Sequence, residues 1–173
     1  IPLFLVTASV GWAVNDLRLY SYGFDKYDVA NITNISRSDL MDAARQIRNY
    51  FNSSFEPLEV KVRVQGVQRE LFNVREVSHM RDVKVLLRGV YLIALVSGLF
   101  LISSICLGFV RYHKIFLDTL AKLVFGGTGL TGGLVFVALL LSISGFDRLF
   151  LLFHQLSFAN NFWQLDPFRD YLV

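Results

Sequence analysis

The sequence predicts a mostly α-helical, polytopic membrane protein that also carries a small α+β domain. Hydrophobic residues make up 54% of the 173-residue chain and the mean hydropathy is +0.47, which is too apolar for an ordinary soluble domain of this size. Two long runs, 89–110 and 123–145, contain no charged residue. A third observation, the alternation of apolar and polar residues at 58–65, predicts a β-strand outside these runs.

The two charge-free runs are long enough to cross a membrane. At a rise of ~1.5 Å per residue each reaches roughly 33 Å, and a hydrocarbon core is about 30 Å thick. Buried core helices are the alternative, but two adjacent runs with charged flanks favour the membrane. The apolar start of the chain, 1–14, predicts the outer part of a further membrane helix, since no convincing signal-peptide cleavage pattern follows it. We therefore expect three transmembrane helices.

The distribution of charge predicts the orientation of these helices. The short loop 111–122 carries three basic residues and one acidic residue. Because short loops rich in lysine and arginine stay in the cytoplasm, we expect the segments 17–88 and 147–173 to lie outside.

Composition also excludes several classes of protein. The net charge is only +3, and the chain has no basic tract with interleaved aromatic residues, so nucleic acid is not an expected partner. The single cysteine, Cys106, excludes a disulfide within the chain and lies inside an apolar run, where we expect a small core or lipid-facing residue.

The segment between the first two membrane runs predicts a compact α+β unit. Ser36 is a suitable N-cap for an amphipathic helix at 37–51, with Asp39 completing a variant capping box. The strand at 58–65 should bury its Val60, Val62, Val64 face on that helix. Its partner is either the stretch near 22–29 or the stretch 69–74. A further helix is predicted from about Val74 straight into the second membrane run.

Two histidines are candidates for chemistry. His79 lies in "REVSHMRDV", where Glu76 and Asp82 flank it at helical spacing and a nearby carboxylate can fix the imidazole tautomer. His154 opens the polar, aromatic segment "HQLSFANNFWQLDP" after the third apolar run. Three interpretations stay open: a catalytic pair, satisfied interfacial histidines, or a metal site of Glu76, His79 and His154, for which the ligands are too few.

Motifs for a protein nucleophile or a phosphate-binding loop are missing from the sequence. Acyl chemistry in this chain would therefore use the substrate's own nucleophile, activated by a base.

Several blocks of the sequence resemble one family of bacterial integral membrane proteins, long catalogued as a domain of unknown function, which includes the lipoprotein intramolecular transacylases. The resemblance rests on "IPLFLV", "REVSHMRDVKVLLRG" and "FDRLFLLFHQLSFANNFWQLDPFRDYL", in this order and over nearly the whole chain. It implies four membrane helices around a small extracytoplasmic domain, so a fourth helix is expected beyond Val173.

The resemblance also implies an activity and its residues. The sn-2 acyl chain of a diacylglyceryl lipoprotein would move to the amine of its own N-terminal cysteine, at the outer face of the bacterial cytoplasmic membrane, to give the lyso form. The functional histidines of the family fall on His79 and His154. Supporting positions fall on Glu76, Asp82, Asn161, Trp163 and Asp166. No metal or other cofactor is expected.

A non-catalytic function is the alternative. The chain would then be an accessory or structural subunit of a larger, energy-transducing membrane complex, with the glycines of "GGTGLTGG" as a docking face. Its partners would be other membrane subunits instead of a lipid or lipoprotein substrate.

The sequence also predicts how the chain is organised. The expected organisation is a truncated first transmembrane helix at 1–16, an extracytoplasmic α+β domain at 17–75, an interfacial helix continuing into the second transmembrane helix at 76–111, a cytoplasmic loop at 112–122, a third transmembrane helix at 123–146, and an extracytoplasmic aromatic segment at 147–173.

Overall fold

The structure is a computed structural model that describes residues 1–64, 67–167 and 169–172. The described residues are mostly helical and include one two-stranded antiparallel sheet. In chain order the elements are α1 (Pro2–Asn15), α2 (Leu17–Lys26), α3 (Val29–Thr33), α4 (Arg37–Phe51), β1 (Lys61–Val64), β2 (Val67–Glu70), α5 (Val74–Tyr112), a 3₁₀ turn (His113–Ile115) and α6 (Phe116–Ser157).

The chain divides into two compact units. The first unit, here called the apolar unit, contains Ile1–Gly11 and Arg88–Leu156. The second, here called the mixed unit, contains Trp12–Leu87 and Ser157–Val173. Helix α5 contributes residues to both units.

Helix α4 of the mixed unit begins and ends as the sequence predicts. The backbone of Ser36 is extended, and its hydroxyl accepts a 3.1 Å hydrogen bond from the backbone N–H of Asp39. This bond satisfies one of the amide groups that a helix N-terminus leaves without an intrahelical partner. The predicted helix at 37–51 is confirmed.

The predicted strand is shorter in the structure, because β1 covers only Lys61–Val64 and Gln65 lies outside the described residues. Its partner β2 pairs with it in antiparallel orientation. Of the two predicted partners, the stretch at 22–29 is wrong, because it contains the end of α2, a turn at 27–28 and the start of α3. The other overlaps β2 in part, because the strand starts earlier than predicted, at Val67, and ends at Glu70.

The alternating face of this strand is buried, as predicted. Val60 and Val62 are each 2% exposed and join one hydrophobic core with Leu40 and Ala43 of α4. The sheet is small and would be unstable alone, so packing on α4 holds the two strands. Further core residues come from the chain around it: Ile35, Tyr50, Phe51, Leu58, Val64, Leu71, Phe72, Met80 and Leu87.

Helix α5 starts at Val74 and continues without a break through the apolar run to Tyr112, which confirms the predicted long helix. Within the mixed unit one stripe of α5 is buried, at spacings of three or four residues. Its members are Glu76, Met80, Lys84 and Leu87. The stripe therefore carries two ionisable side chains, which sets the electrostatics of this unit.

The apolar unit is built from α1 and the apolar parts of α5 and α6. A Cβ atom added at Gly98 of α5 would lie 3.0 Å from the Phe4 ring of α1, so glycine permits the close approach of these helices. The 3₁₀ turn separates α5 from α6, with His113 at φ 49°. The backbone of α6 departs from helical geometry at Gly145, where the charge-free run ends.

Within the described part of the chain, one helical stretch, Val74–Ser157, is long and apolar enough to cross a membrane. Its most apolar window has a mean hydropathy of 2.4, and none of that window is buried. Helix α1 is apolar but shorter.

Candidate active site

His79 lies on α5, in the mixed unit, and only 9% of its surface is exposed. Its ring packs edge-on against Phe158, with the ring centroids 5.2 Å apart and an interplanar angle of 78°. Phe158 itself is buried. An edge-to-face pair of this kind restricts how an imidazole can rotate.

Glu76 lies one turn before His79 and is 1% exposed. One carboxylate oxygen accepts a 2.8 Å hydrogen bond from the N–H of Asn73, whose own side chain caps α5 by accepting from the N–H of Glu76. The other oxygen accepts from the N–H groups of Tyr171 and Leu172, at 2.6 and 3.0 Å. Glu76 thus closes a capping box and also anchors the backbone at Tyr171 and Leu172.

Burial dominates the titration of Glu76 and raises the pKa of its carboxyl group, with a further contribution from the charge of Asp170. Hydrogen bonds from the backbone of Asn73, Tyr171 and Leu172 act in the opposite direction and lower the pKa. The carboxyl group is therefore held in place by backbone donors at a considerable desolvation cost.

The segment 158–172 packs along the same helix through several polar contacts. Asp82 accepts a 2.8 Å hydrogen bond from the side-chain amide of Asn160. Arg75 donates to the backbone oxygen of Asn161 at 3.0 Å. Asn73 donates to Asp170 at 2.7 Å. The block around His79 and the part of the second block that follows Leu156 therefore meet inside the mixed unit.

The remaining predicted residues of the second block differ in their surroundings. Trp163 is 7% exposed and belongs to the buried part of this segment. The side chain of Asn161 is exposed. Asp166 is half-buried, and its N–H donates to the carboxylate of Asp170 at 2.6 Å.

His154 lies in the last turn of α6, in the apolar unit, and is 9% exposed. Its Nδ1 atom is 2.8 Å from the backbone oxygen of Phe150. A carbonyl oxygen can only accept, so Nδ1 carries the proton in the neutral ring and Nε2 carries the basic lone pair. The rings of Phe150 and Phe153 lie 4.0 and 5.2 Å from the imidazole centroid. His154 is thus a buried imidazole with a defined tautomer.

A metal site would need several ligands at one point. Among the residues that the structure describes, no three His, Cys, Asp or Glu side chains lie close enough together to hold a metal ion.

The family model for lipoprotein intramolecular transacylase Lit matches residues 1–173, which is the whole chain. The chain belongs to this family. The family predicted from the sequence motifs is confirmed, and so is the predicted function, acyl transfer within a lipoprotein that gives the lyso form. No curated protein sequence matches the chain.

Solved structures of the family have the same fold. The membrane integral lipoprotein intramolecular transacylase Lit from Bacillus cereus is 21% identical, with a TM-score of 0.61 over 98% of this chain and 73% of the other. Two variants of that protein, with a histidine replaced by arginine or by alanine, each give a TM-score of 0.56 at 20% identity. They cover 99% of this chain and 71% and 72% of theirs.

In this transacylase-family chain, two residues contact the helix of His79 although the sequence does not predict these contacts. Asn160 and Phe158 contact the helix that carries His79, although neither was predicted as a site residue. The only sequence signal is the Asn160-Asn161 pair, and spacing alone does not decide which of the two faces α5. His79 belongs to the mixed unit and His154 to the apolar unit, and their pairing in one active site stays a prediction.

Proposed function

We propose that this chain transfers the sn-2 acyl group of a diacylglyceryl lipoprotein to the amine of the lipoprotein's own N-terminal cysteine. The match of the transacylase family model to residues 1–173 carries the proposal. His154 and His79 are the proposed functional histidines, and Glu76, Asp82, Asn161, Trp163 and Asp166 are the proposed supporting residues. The substrate supplies both the nucleophile and the acyl group, so no protein nucleophile is needed.

His154 is the proposed general base. Its Nδ1–H is occupied by the carbonyl of Phe150 at 2.8 Å, so Nε2 is the nitrogen that can take a proton. As the cysteine amine attacks the sn-2 ester carbonyl, a C–N bond forms and the amine proton passes to Nε2. The ester C–O bond then breaks, and the imidazolium returns that proton to the departing glycerol oxygen. Protons and charges balance without any co-reactant.

The tetrahedral intermediate carries a negative oxygen that needs hydrogen-bond donors. His79 and the side-chain amide of Asn161 are the proposed donors. The restricted ring of His79, packed on Phe158, supports this assignment, because a pre-positioned donor stabilises the oxyanion better than a mobile one. The amine and the ester are on one molecule, which raises their effective concentration.

Glu76 and Asp82 are proposed to support the site by position. Both oxygens of Glu76 are used by backbone N–H groups, and Asp82 accepts from Asn160. Trp163 and Asp166 are proposed to shape the segment that carries Asn161. None of these four residues needs to exchange a proton during the reaction.

The proposed topology has three membrane helices in this chain. Three observations support it: the exposed apolar window within Val74–Ser157, the turn at His113–Ile115 within that stretch, and the apolar helix α1. The basic stretch 111–122, which contains the turn at His113–Ile115 and the adjoining helix ends, is then cytoplasmic, and the segments 17–88 and 147–173 lie outside. This orientation brings the site to the outer face, where lipoproteins are anchored.

Expression of the chain in a bacterial host that lacks lipoprotein N-acylation tests the function. Mass spectrometry of a defined lipoprotein should show the lyso form, with one acyl chain on the amine and a free glycerol hydroxyl. Unchanged diacylglyceryl lipoprotein, together with stoichiometric copurification of a larger membrane complex, would instead support the accessory-subunit function.

A further inference from the structure

The contact between Asp82 and Asn160 joins two parts of the mixed unit that are distant in sequence. Oδ2 of Asp82 accepts from Nδ2 of Asn160 at 2.8 Å. Asp82 is three residues after His79 on α5, and Asn160 is two residues after Phe158, whose ring packs on His79. The hydrogen bond and the ring contact are therefore neighbouring connections between the same helix and the same segment.

Asn160 uses both ends of its side-chain amide. While Nδ2 donates to Asp82, Oδ1 accepts a 3.0 Å hydrogen bond from the N–H of Phe162. The second bond fixes the turn that leads to the buried Trp163. A carboxylate has no donor and a hydroxyl offers both functions on one atom, so a donor and an acceptor on separate atoms match an amide.

We infer that Asn160 is a positioning residue for His79, which acts by holding Phe158 against the imidazole through its hydrogen bond to Asp82. The neighbouring Asn161 differs, because its side chain is exposed and its backbone oxygen accepts from Arg75. This inference rests on the proposed function of His79 in transacylation.

Variants that exchange aspartate and asparagine between positions 82 and 160 test the inference. Asn160→Asp keeps the acceptor for Phe162 but removes the donor and turns a second carboxylate toward Asp82. The double variant Asp82→Asn with Asn160→Asp restores one donor and one acceptor with the polarity reversed. Gln164→Glu, an exposed site on the same segment, is the matched control that adds the same charge.

Two readouts are measured in purified, lipid-reconstituted full chain. The first is the rate of lyso-lipoprotein formation, resolved into kcat and KM. The second is the rate at which diethyl pyrocarbonate modifies His79 at a single fixed pH. Peptide mass spectrometry measures this rate. We expect Asn160→Asp to lower kcat about tenfold or more with little change in KM, and to change the modification rate of His79. The double variant should recover most of both values, and Gln164→Glu should match the unmodified chain.

The inference is overturned if Asn160→Asp behaves like Gln164→Glu, or if the double variant is no better than Asn160→Asp. If Asn160→Asp fails to accumulate in membranes, the double variant decides alone, and its failure to accumulate would also overturn the inference. Should the unmodified chain form no lyso-lipoprotein, the proposed function fails. The reactivity of His79 in the same variants then still decides whether Asn160 positions that ring.

Discussion

Lys84 is 1% exposed, and its ammonium group forms a 3.1 Å ion pair with the carboxylate of Glu56, which is partly exposed. The ammonium also donates to the backbone oxygen of Phe55 at 2.6 Å and lies 3.8 Å from the centroid of the Tyr50 ring. The burial is asymmetric, because the lysine is enclosed and the glutamate is not. The stability of this part of the mixed unit therefore depends on compensation of the lysine charge.

This asymmetry predicts which partner is more costly to remove. Glu56→Ala leaves a buried ammonium group without its counter-ion and should lower the free energy of unfolding by about 3 kcal/mol. Lys84→Met leaves a carboxylate that water can reach, so its cost should be smaller, about 1–2 kcal/mol. Chemical denaturation in detergent measures both.

The exposed pair of Lys61 and Glu59, 3.7 Å apart, is the control for this prediction. Lys61→Met should cost less than about 1 kcal/mol. Equal losses of unfolding free energy in Glu56→Ala and Lys84→Met would contradict the asymmetry. A loss in either variant that is no larger than the loss in Lys61→Met would contradict it as well.

The same pair predicts a dependence of stability on pH. Burial acts to raise the pKa of Glu56, but hydrogen bonds from Tyr50 and Lys84, and the charges of Lys84 and Arg81, lower it below its usual value of 4.5. Because the folded-state pKa is lower than the unfolded-state value, ionised Glu56 stabilises the fold. That contribution is complete well above pH 4.5 and is lost as the pH falls through the folded-state pKa.

Unfolding free energies of the unmodified chain and of Glu56→Gln, measured between pH 7 and pH 3, check this direction. Their difference should be largest near neutral pH and should narrow below pH 4.5. A difference that stays constant over this range, or that widens toward acid, would contradict the prediction.

Glu76 should act mainly on the segment at the distal end of the described chain. In Glu76→Gln, one oxygen replaces two, so either the N–H of Asn73 or those of Tyr171 and Leu172 lose their acceptor, and any bond that stays is no longer to a charged group. Since hydrogen bonds to charged groups contribute about 1.5–3 kcal/mol each, hydrogen exchange at Tyr171 and Leu172 should accelerate by about 10- to 100-fold. Exchange mass spectrometry measures this.

An exposed glutamate provides the comparison. Glu70→Gln, on the exposed strand β2, should leave exchange at these amides unchanged. Lyso-lipoprotein formation should fall less in Glu76→Gln than in a variant that lacks a functional histidine. If exchange at residues 171 and 172 is unaffected, the anchoring function of Glu76 is wrong.

Local sequence patterns predict local structure well in this chain. The helix at 37–51 with its Ser36 cap follows from apolar spacing and one capping residue, and the buried face of β1 follows from strict alternation. These features depend on neighbours within a few residues. The choice of the strand that pairs with β1 does not depend on near neighbours alone. Both candidate stretches contain apolar residues, and only the structure shows that most of 22–29 is helical.

The candidate site illustrates the limit of such patterns. The sequence predicts functional blocks around His79 and around Trp163, but the contacts between these blocks join residues more than 75 positions apart. No local periodicity specifies that Asn160, instead of Asn161, reaches Asp82. The anchoring of Tyr171 and Leu172 by Glu76 is equally non-local. It depends on backbone N–H groups, which every residue except proline has.

The measurement that tests the central claim most directly is lipoprotein mass spectrometry with His154→Ala. Removal of a general base typically lowers the rate about 10²- to 10⁴-fold, so the variant should give almost no lyso-lipoprotein. Its amount in carbonate-washed membranes should equal that of the unmodified chain, because insertion depends on the apolar runs. Undiminished lyso-lipoprotein formation by His154→Ala, at equal protein level, would contradict the account.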